Sequence, residues 1–522
     1  MNPAAGTPST PSVASLGGVM LCSTLAALLS FTDPVSAAPP RQLNVLFLII
    51  DDHGATAHDV HQSGPVHTPN LERLARRGTW FSRAYNGAPI CAAARSAILT
   101  GVHATKTGLY YNNQGYRRVP GSIATAETLP GHFLRHGYTV AGYGKIAHTT
   151  FMEDDVADYT PGFYKIHDKP GDVSYTDKML LKDHILPGSR RSVPANSNHK
   201  LHANGHWKWG VLPDDWDRDN PAKLQQDTEQ ANRTIAFLDQ PHDSPFLLIC
   251  GFWRPHDSWT VPKRYFDMHP IESIELPEGY LPNDLSDLPK PARWIAAHRG
   301  EHANMVAAGM WKQYLRAYYA SISYIDEQVG RVLDALERSP HRGNTIVVFA
   351  SDNGFHVGEK DHWLKQALWE QTCRVGFSIS VPGLPPQDVR APVSTIDIYP
   401  TLNHLCGLAA PTTHQLDGVD LTPLLEGKRR DRGRPVLSTY GQGNHSIRDE
   451  RFRYIRYRDG SEELYDHDRD PWEWHNLAAN PAFAPNKREL ARSLPTVNAP
   501  PVAGPAVKER LHWKFQKWIL SP

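Results

Sequence analysis

The sequence of 522 residues lacks an excess of either charge, paired cysteines and internal repeats. Lys plus Arg and Asp plus Glu both number 55, so the formal net charge is zero. This balance offers neither a nucleic-acid groove nor a polybasic membrane patch. The five cysteines form no C-x-x-C pair, which argues against a disulfide framework and against a cysteine zinc site. A chain of this length can still bury a large core, in several domains or in one large α/β domain with a smaller one.

The first 38 residues have the pattern of a secretory signal peptide. Residues 16–31 are mostly apolar, and V-S-A at residues 35–37 is a small-residue cleavage site. Because Ser and Thr interrupt the apolar run, which is short for a transmembrane helix, we expect no stable membrane insertion. The segment lacks the Lys or Arg that commonly precede such a run. The pattern as a whole predicts a periplasmic or secreted protein.

Four apolar runs are typical of strands buried on both faces of a parallel sheet, at residues 43–50, 138–143, 245–252 and 345–350. Each run is followed by polar side chains: Asp51 and Asp52, Lys145 and His148, Arg254 and His256, and Asp352 and Asn353. The carboxyl ends of parallel strands meet at one edge of a sheet, where α/β proteins bind their ligands. We therefore expect these side chains to lie close together.

Helical patterns between the strands complete a large α/β domain over residues 39–430. Thr68 as N-cap and Pro69 predict the start of a helix that ends at Gly78. Residues 310–338 form a long amphipathic helix, whereas residues 187–221 predict a long loop.

Short strand patterns follow a charged linker after Gly427. Residues 436–440, 452–457 and 463–465 predict an antiparallel sheet in a small C-terminal α+β domain over residues 431–522. A last helix is expected near residues 509–518.

Cys91 directly precedes a run of good helix formers, residues 92–99. A cysteine at a helix start faces unpaired N–H groups and the positive end of the helix dipole, a position that favours anions and reactive sulfur. Arg95 lies one turn further on the same face. Taken alone, such a pair is commonly a buried thiol and a surface charge. Whether Cys91 and Arg95 are functional therefore depends on the residues that surround them in the sequence.

The polar residues at the predicted sheet edge fall into two chemical groups. Asp51, Asp52, Asp352 and Asn353 offer hard oxygen donors, which suit Ca²⁺, less often Mg²⁺, and not zinc. Calcium takes roughly 6–8 oxygens, which leaves places for substrate and nucleophile. The second group is cationic or protonatable, and it would hold a tetrahedral oxyanion next to a nucleophile at Cys91: Arg95, Lys145, His148, His256 and Lys365.

The pattern C-x-A-x-R at residues 91–95, followed by L-T-G, resembles the signature of the type I, formylglycine-dependent sulfatases. D-D at residues 51–52, G-K-I-A-H, R-P-H and S-D-N-G-F-H-V-G-E-K-D-H-W-L-K at residues 351–365 extend the likeness to the iduronate-2-sulfatase-like branch. Ala93 and Ala94 replace the commonest Pro and Ser of the signature, which leaves open which maturation enzyme acts. Asn353 stands where iduronate-2-sulfatase has a histidine.

The resemblance implies an alkaline-phosphatase-like fold and a role for each matching residue. Cys91 is expected to become formylglycine (3-oxoalanine), whose hydrate is the nucleophile, and to share one Ca²⁺ with Asp51, Asp52, Asp352 and Asn353. Arg95 and Lys145 would hold the hydrate, and His148 would take a proton from it. His256 and Lys365 would grip the sulfate, and one of them would protonate the leaving alcohol.

Substrate selectivity would come from the walls of the site. We expect the walls to be residues 355–363, the loop at 187–221 and a turn at 444–448. Trp363 either lines the sugar subsite or is packed in the core.

The sequence therefore predicts a sulfatase that hydrolyses a carbohydrate sulfate ester. The substrate would be a fragment of a glycosaminoglycan or another sulfated polysaccharide, with a uronate 2-O-sulfate among the options. A formylglycine-generating or radical maturation enzyme is the second expected partner. The alternatives are a phosphonate monoester or phosphodiester hydrolase on the same scaffold, a choline or aryl sulfatase, and a non-catalytic glycan-binding relative.

Overall fold

The apolar run that opens the predicted catalytic domain forms the middle strand of a seven-stranded sheet. The computed structural model describes residues 42–54, 65–112, 125–148, 191–192, 208–214, 225–297 and 301–502. The predicted signal peptide, most of the predicted loop at 187–221 and the helix expected near 509–518 lie outside these ranges. Every residue of the middle strand, Asn44–Ile50, is buried.

The strands of the large sheet are β1 (Asn44–Ile50), β2 (Thr79–Phe81), β4 (Thr139–Gly144), β7 (Phe246–Gly251), β9 (Thr345–Ser351), β13 (Phe377–Ser380) and β14 (Gln387–Val389). Their order across the sheet is β14-β2-β13-β9-β1-β7-β4. The four strands predicted to be parallel, β9, β1, β7 and β4, lie side by side and are parallel. In register, Ile50 is opposite Ser351 and Gly251 is opposite both Ile49 and Gly144, so the strands end at one edge.

Helices cover both faces of this sheet. In chain order the described helices are α1 (Pro69–Arg77), α2 (Cys91–Thr100), α3 (Ala104–Thr107), α4 (Leu129–Arg135), α5 (Gln226–Leu238), α6 (Lys263–Asp267), α7 (Lys290–Ala296), α8 (Glu301–Ala307), α9 (Trp311–Arg338), α10 (Glu370–Cys373), α11 (Ile398–Leu405), α12 (Thr422–Leu425) and α13 (Ala484–Ala491). Alternate residues of β1 enter two cores. One core contains α1, α5 and α9, and the other contains α2, α4 and α11.

Short strands stand beside the large sheet. They are β3 (Ala84–Tyr85), β5 (Arg191–Ser192), β6 (Lys208–Leu212), β8 (Trp259–Pro262), β10 (His356–Val357), β11 (Trp363–Leu364), β12 (Arg374–Val375) and β15 (Val393–Ser394). Two of them correct the prediction of a continuous loop at 187–221. Arg191–Ser192 pairs with Lys208–Leu212, which in turn pairs with Trp259–Pro262. Because β6 pairs with a strand about fifty residues later, the local sequence does not indicate that β6 is a strand.

The C-terminal part contains an antiparallel sheet of β16 (Val436–Thr439), β17 (His445–Arg448), β18 (Phe452–Arg456) and β19 (Glu462–Asp466). Three of these strands were predicted. The prediction of a turn at residues 444–448 is wrong because His445–Arg448 pairs on both sides, and Ile447 packs in the small core under α13. The predicted domain boundary at residue 430 falls between α12 and β16.

Helix α1 begins at Pro69 and ends before Gly78, as predicted, but its cap differs. The Thr68 side chain makes no capping hydrogen bond. Instead, the buried carboxylate of Asp326 in α9 accepts the backbone N–H groups of Asn70 at 3.1 Å and Leu71 at 2.8 Å. A distant residue therefore satisfies the helix terminus. Among the described helices, none combines the length and the apolar character that a membrane span needs.

Candidate functional site

The carboxyl ends of β1 and β9 bring three buried carboxylates together. Oxygens of Asp51, Asp52 and Asp352 all lie within 4.8 Å of one another. The backbone N–H of Asp352 donates to the carbonyl of Ile50 at 3.1 Å, which extends the strand pairing into the site. The backbone N–H of Asp52 donates to Oδ1 of Asp352 at 3.3 Å. The prediction that these residues converge is confirmed by this geometry.

Tyr318 supports this turn, and the sequence contained no signal for it. Asp52 has a left-handed backbone, with φ of 60°. The Tyr318 hydroxyl donates to the Asp52 carbonyl at 2.8 Å and accepts the N–H of Gly54 at 2.8 Å. One side chain of α9 thus holds the backbone of the residues that follow β1.

Three cations face the three carboxylates. Arg95 has no exposed surface, and its Nε donates to Oδ2 of Asp352 at 2.6 Å. The ammonium of Lys145 donates to Asp51. The Nζ atom of Lys365 lies 2.6 and 2.5 Å from the two carboxylate oxygens of Asp52. Because each buried charge has a partner of opposite sign, the group can exist in the interior.

The carboxylates respond differently to this environment. Burial raises the pKa of Asp52, although the charge of Lys365 opposes the rise. Burial acts on Asp352 in the same sense, but the charges of Arg95, Lys145 and Lys365 outweigh it and lower its pKa. Of these two carboxylates, Asp352 is therefore the one held more firmly in its charged form.

Cys91 is the first residue of α2 and lies against the carboxylates. Its thiol donates to Oδ1 of Asp51 at 3.5 Å, and the amide of Asn353 lies 3.6 Å from its sulfur. The expectation of a reactive sulfur at the helix start is wrong for the unmodified residue. Burial raises the thiol pKa to about 12, with Asp352 and Asp52 acting in the same direction. These effects outweigh the charge of Lys365, which acts in the opposite direction, and the residue stays a thiol at neutral pH.

The two predicted histidines lie near the charged group. His256 is 22% exposed, and its Nε2 is 3.8 Å from Oδ2 of Asp52. The Nδ1 atom of His148 is buried without a hydrogen-bond partner in the described part of the chain. Burial, followed by the charges of Lys145, Lys365 and Arg95, lowers the pKa of His148 to about 3. His148 is therefore neutral at physiological pH.

The prediction that Trp363 lines the site wall is wrong. Its side chain is 1% exposed and packs among the rings of Trp259, Tyr314 and Phe355, with centroids 6.0 to 6.5 Å away. Pairing of β10 with β11 turns the segment inward.

The predicted wall at residues 444–448 is buried as well. Asn444 and Arg448 are 1% and 2% exposed, and Arg448 faces Glu370 at 3.7 Å. These polar groups bind partners inside the protein, so they do not form a surface that meets substrate.

Trp253 is an aromatic residue that borders the site, and it was not among the predicted site residues. It follows β7 directly and is partly exposed. Its ring lies 4.1 Å from Nζ of Lys145 and 4.7 Å from the ring of His256. Its place directly after a predicted strand, like that of the assigned residues, was the available signal.

The residues at the strand ends fit a divalent metal ion that prefers oxygen ligands. Three carboxylates converge, and the Oδ1 atom of Asn353 is buried without a hydrogen-bond partner among the described residues. A metal ion would satisfy that oxygen, and hard oxygen donors suit Ca²⁺ or Mg²⁺ rather than zinc. A second cluster, Glu370, His467 and Glu473, is different because Arg453 pairs with both glutamates, which makes it an ion-pair network.

Comparison with known proteins gives a consistent result. The sulfatase family matches residues 43–408, and the C-terminal part of N-sulphoglucosamine sulphohydrolase matches residues 358–499. A sulfatase of Formosa agariphila is 34% identical over 465 residues, which cover 87% of each chain. The choline-sulfatase of Rhizobium meliloti is 28% identical, with 84% of this chain and 83% of that protein covered. The iduronate 2-sulfatase of Mus musculus is 27% identical, with 71% and 69% covered.

A solved structure shares the fold. The phosphonate monoester hydrolase of Agrobacterium radiobacter superposes with a TM-score of 0.68 at 21% identity, covering 86% of this chain and 94% of that one. The chain has an alkaline-phosphatase-like α/β fold, as predicted. The chain belongs to the sulfatase family, which confirms the predicted resemblance, and it is a sulfuric ester hydrolase.

We predict that Trp363→Ala lowers the free energy of unfolding by about 3–5 kcal/mol, because a large cavity opens in the core. Urea unfolding measures this change. The matched variant Trp253→Ala removes a partly exposed ring and should cost about 1 kcal/mol. The milder variant Trp363→Phe should not change the ratio of the activities toward a large and a small sulfate ester. Selective loss of the large substrate in Trp363→Phe would contradict this assignment.

Proposed function

We propose that the protein hydrolyses sulfate esters of a carbohydrate, using a formylglycine at position 91 and one bound Ca²⁺ ion. The supporting observation is the convergence of three carboxylates, three cations and Cys91 at the carboxyl edge of the sheet. Such a site combines a place for a metal ion, a place for a nucleophile and fixed positive charge, which group transfer to an anionic ester requires. We further propose that residues 1–38 direct export to the periplasm or the medium.

Asp51, Asp52, Asp352 and Asn353 would hold the Ca²⁺ ion, together with the modified residue 91. The ion would act as a Lewis acid toward the oxygens of the ester. Without it, three carboxylates balance the charges of three cations. A divalent ion would therefore give the site a net positive charge, which favours an anionic sulfate ester.

A formylglycine at position 91 would supply, as its hydrate, the hydroxyl group that attacks the sulfur atom. The residues of the chain then position this group. Arg95 lies one turn along α2 and is fixed to Asp352, and Lys145 approaches from the end of β4. Their charges would orient the hydrate and favour loss of its proton.

Two histidines would move protons at opposite stages of the reaction. The Nδ1 atom of His148, which is buried and unpartnered among the described residues, would accept the proton of the second hydroxyl group, so that the C–O bond to the sulfate breaks, sulfate leaves and the aldehyde is restored. Lys365, 5% exposed and bound to Asp52, would hold the sulfate. His256 is the more exposed of the two sulfate-side residues, so it is better placed to protonate an alcohol that leaves toward solvent.

A sugar ring suits the border of the site better than a choline group does. Trp253 offers an aromatic ring beside His256, and such rings pack on the apolar faces of ligands. A quaternary ammonium group, by contrast, would be placed near the positive charges of Lys145 and Lys365. Relatives named as a hexuronate-2-O-sulfatase and as an ulvan-active sulfatase, each 26% identical, support the same direction.

The decisive experiment measures kcat/KM for sulfate release from sulfated uronate-containing oligosaccharides, choline sulfate and nitrophenyl sulfate. Phosphonate monoesters and phosphodiesters complete the panel. We predict that an oligosaccharide gives the highest value, because binding energy from the remote sugars can stabilise the transition state. If a phosphonate or a phosphodiester is the best substrate, the sulfatase activity proposed here is refuted. If choline sulfate is the best substrate, the proposed carbohydrate substrate is refuted.

Maturation is tested on the tryptic peptide 84–95, which contains Cys91. We predict that mass spectrometry of active protein shows an aldehyde at position 91 in part of the material, and that Cys91→Ala abolishes turnover. Cys373→Ala is the matched control, since Cys373 is also buried but lies outside the charged group. Full activity in a preparation whose Cys91 is wholly unmodified would disprove the proposed nucleophile.

Metal dependence is tested by chelation and elemental analysis. We predict one Ca²⁺ per chain, loss of activity with a chelator and recovery with added calcium. Asp352→Asn should lose both metal and activity, about 10²–10³-fold in kcat, because it removes a charged ligand and the partner of Arg95. Asp284→Asn is the control, because Asp284 is a buried aspartate paired with Lys360 and not with the site. Active protein that carries zinc and no calcium would contradict the prediction.

A further inference from the structure

We infer that Asp227 is a positioning residue, which fixes the turn that carries Trp253 and His256 at the border of the site. This inference rests on the proposed function, in which His256 faces the sulfate ester. No motif identified in the sequence includes Asp227.

Asp227 binds the turn at the point where hydrogen bonding to the neighbouring strand ends. The N–H of Phe252 makes the last bond to the neighbouring strand, to the carbonyl of Ile49 at 2.8 Å. The next two backbone N–H groups, of Trp253 and Arg254, donate to the two carboxylate oxygens of Asp227 at 2.6 and 3.1 Å. Asp227 is 2% exposed, so these charge-assisted bonds lie in the interior, where they are strong.

The turn transmits this anchorage to His256. The backbone N–H of His256 donates to the carbonyl of Trp253 at 3.1 Å. The indole N–H of Trp253 and the Nδ1 atom of His256 both bind the carbonyl of Asp257, at 3.3 and 2.7 Å. A displacement of Trp253 would therefore move both rings together.

Asp227 is itself held firmly. It is the second residue of α5, and the next residue, Thr228, binds the hydroxyl of Tyr324 through its backbone N–H at 3.1 Å and its own hydroxyl at 3.0 Å. Tyr324 belongs to α9, the same helix that carries Tyr318. A single long helix thus supports both the Asp51–Asp52 side and the His256 side of the site.

The chemistry explains why the residue is an aspartate. Two acceptor oxygens serve two N–H donors. Asparagine would offer one acceptor and place an amide N–H₂ against a backbone N–H. Glutamate would keep both oxygens but would push the turn outward by one methylene group.

The experiment compares Asp227→Asn with Asp326→Asn. Asp326 is also a helical aspartate, 2% exposed, that accepts two backbone N–H groups, but it caps α1 away from the site. We expect both variants to lower the urea midpoint to a similar extent. Only Asp227→Asn should lower kcat/KM for the best sulfate ester, by about 10–100-fold, because small misplacements of a reacting group are costly. If Asp227→Asn does not fold, Asp227→Glu, which keeps the charge, takes its place in the comparison.

Crystal structures of the wild type and both variants give a readout independent of activity. The distance from Nε2 of His256 to Oδ2 of Asp52, 3.8 Å in the wild type, should increase in the Asp227 variant alone. Unchanged kinetics and an unchanged distance would overturn the inference while leaving the proposed function intact. If the wild type hydrolysed no sulfate ester, the proposed function would fail, and the crystallographic distance would still decide the positioning role.

Discussion

The structure depends on the charge balance of six buried groups at one edge of the sheet. Asp51, Asp52 and Asp352 would be unstable there without Arg95, Lys145 and Lys365, and the reverse also holds. The six groups come from five separate parts of the chain, because only Asp51 and Asp52 are neighbours, so the balance exists only in the completed fold. Stability and the proposed function therefore depend on the same residues. A substitution that removes one charge leaves its partner buried and unpaired, and it will affect both.

A second buried ion-pair network joins the C-terminal sheet to the segment that follows Lys365. Arg453 in β18 contacts Glu370 and lies 2.6 Å from Glu473, and His467 lies 2.9 Å from Glu473. Tyr85 donates to Glu370 at 3.1 Å from the large domain. The network thus fixes Glu370, five residues after Lys365, to the antiparallel sheet.

The sequence allowed the prediction of those parts of the site whose signal is local. Buried parallel strands are continuous apolar runs, and Asp51 and Asp352 follow two of them directly. Asp227 and Tyr318 could not be found in this way, because their role consists of contacts with backbone groups far away in the chain. Trp363 shows the opposite error. An aromatic residue inside a functional motif has the same pattern whether it packs in the core or borders a ligand, and only its neighbours distinguish the two.

The central position of β1 affects the order in which the protein can fold. Its two neighbours, β7 and β9, come about 200 and 300 residues later in the chain, and Asp52 bonds to Asp352 across 300 residues. During synthesis β1 and Cys91 must therefore wait for most of the domain to be made. In the finished fold Cys91 is 1% exposed. In the proposed maturation of Cys91, the waiting period would be when the maturation enzyme has access to this cysteine, and the rate at which the domain folds would set how much of the protein is modified.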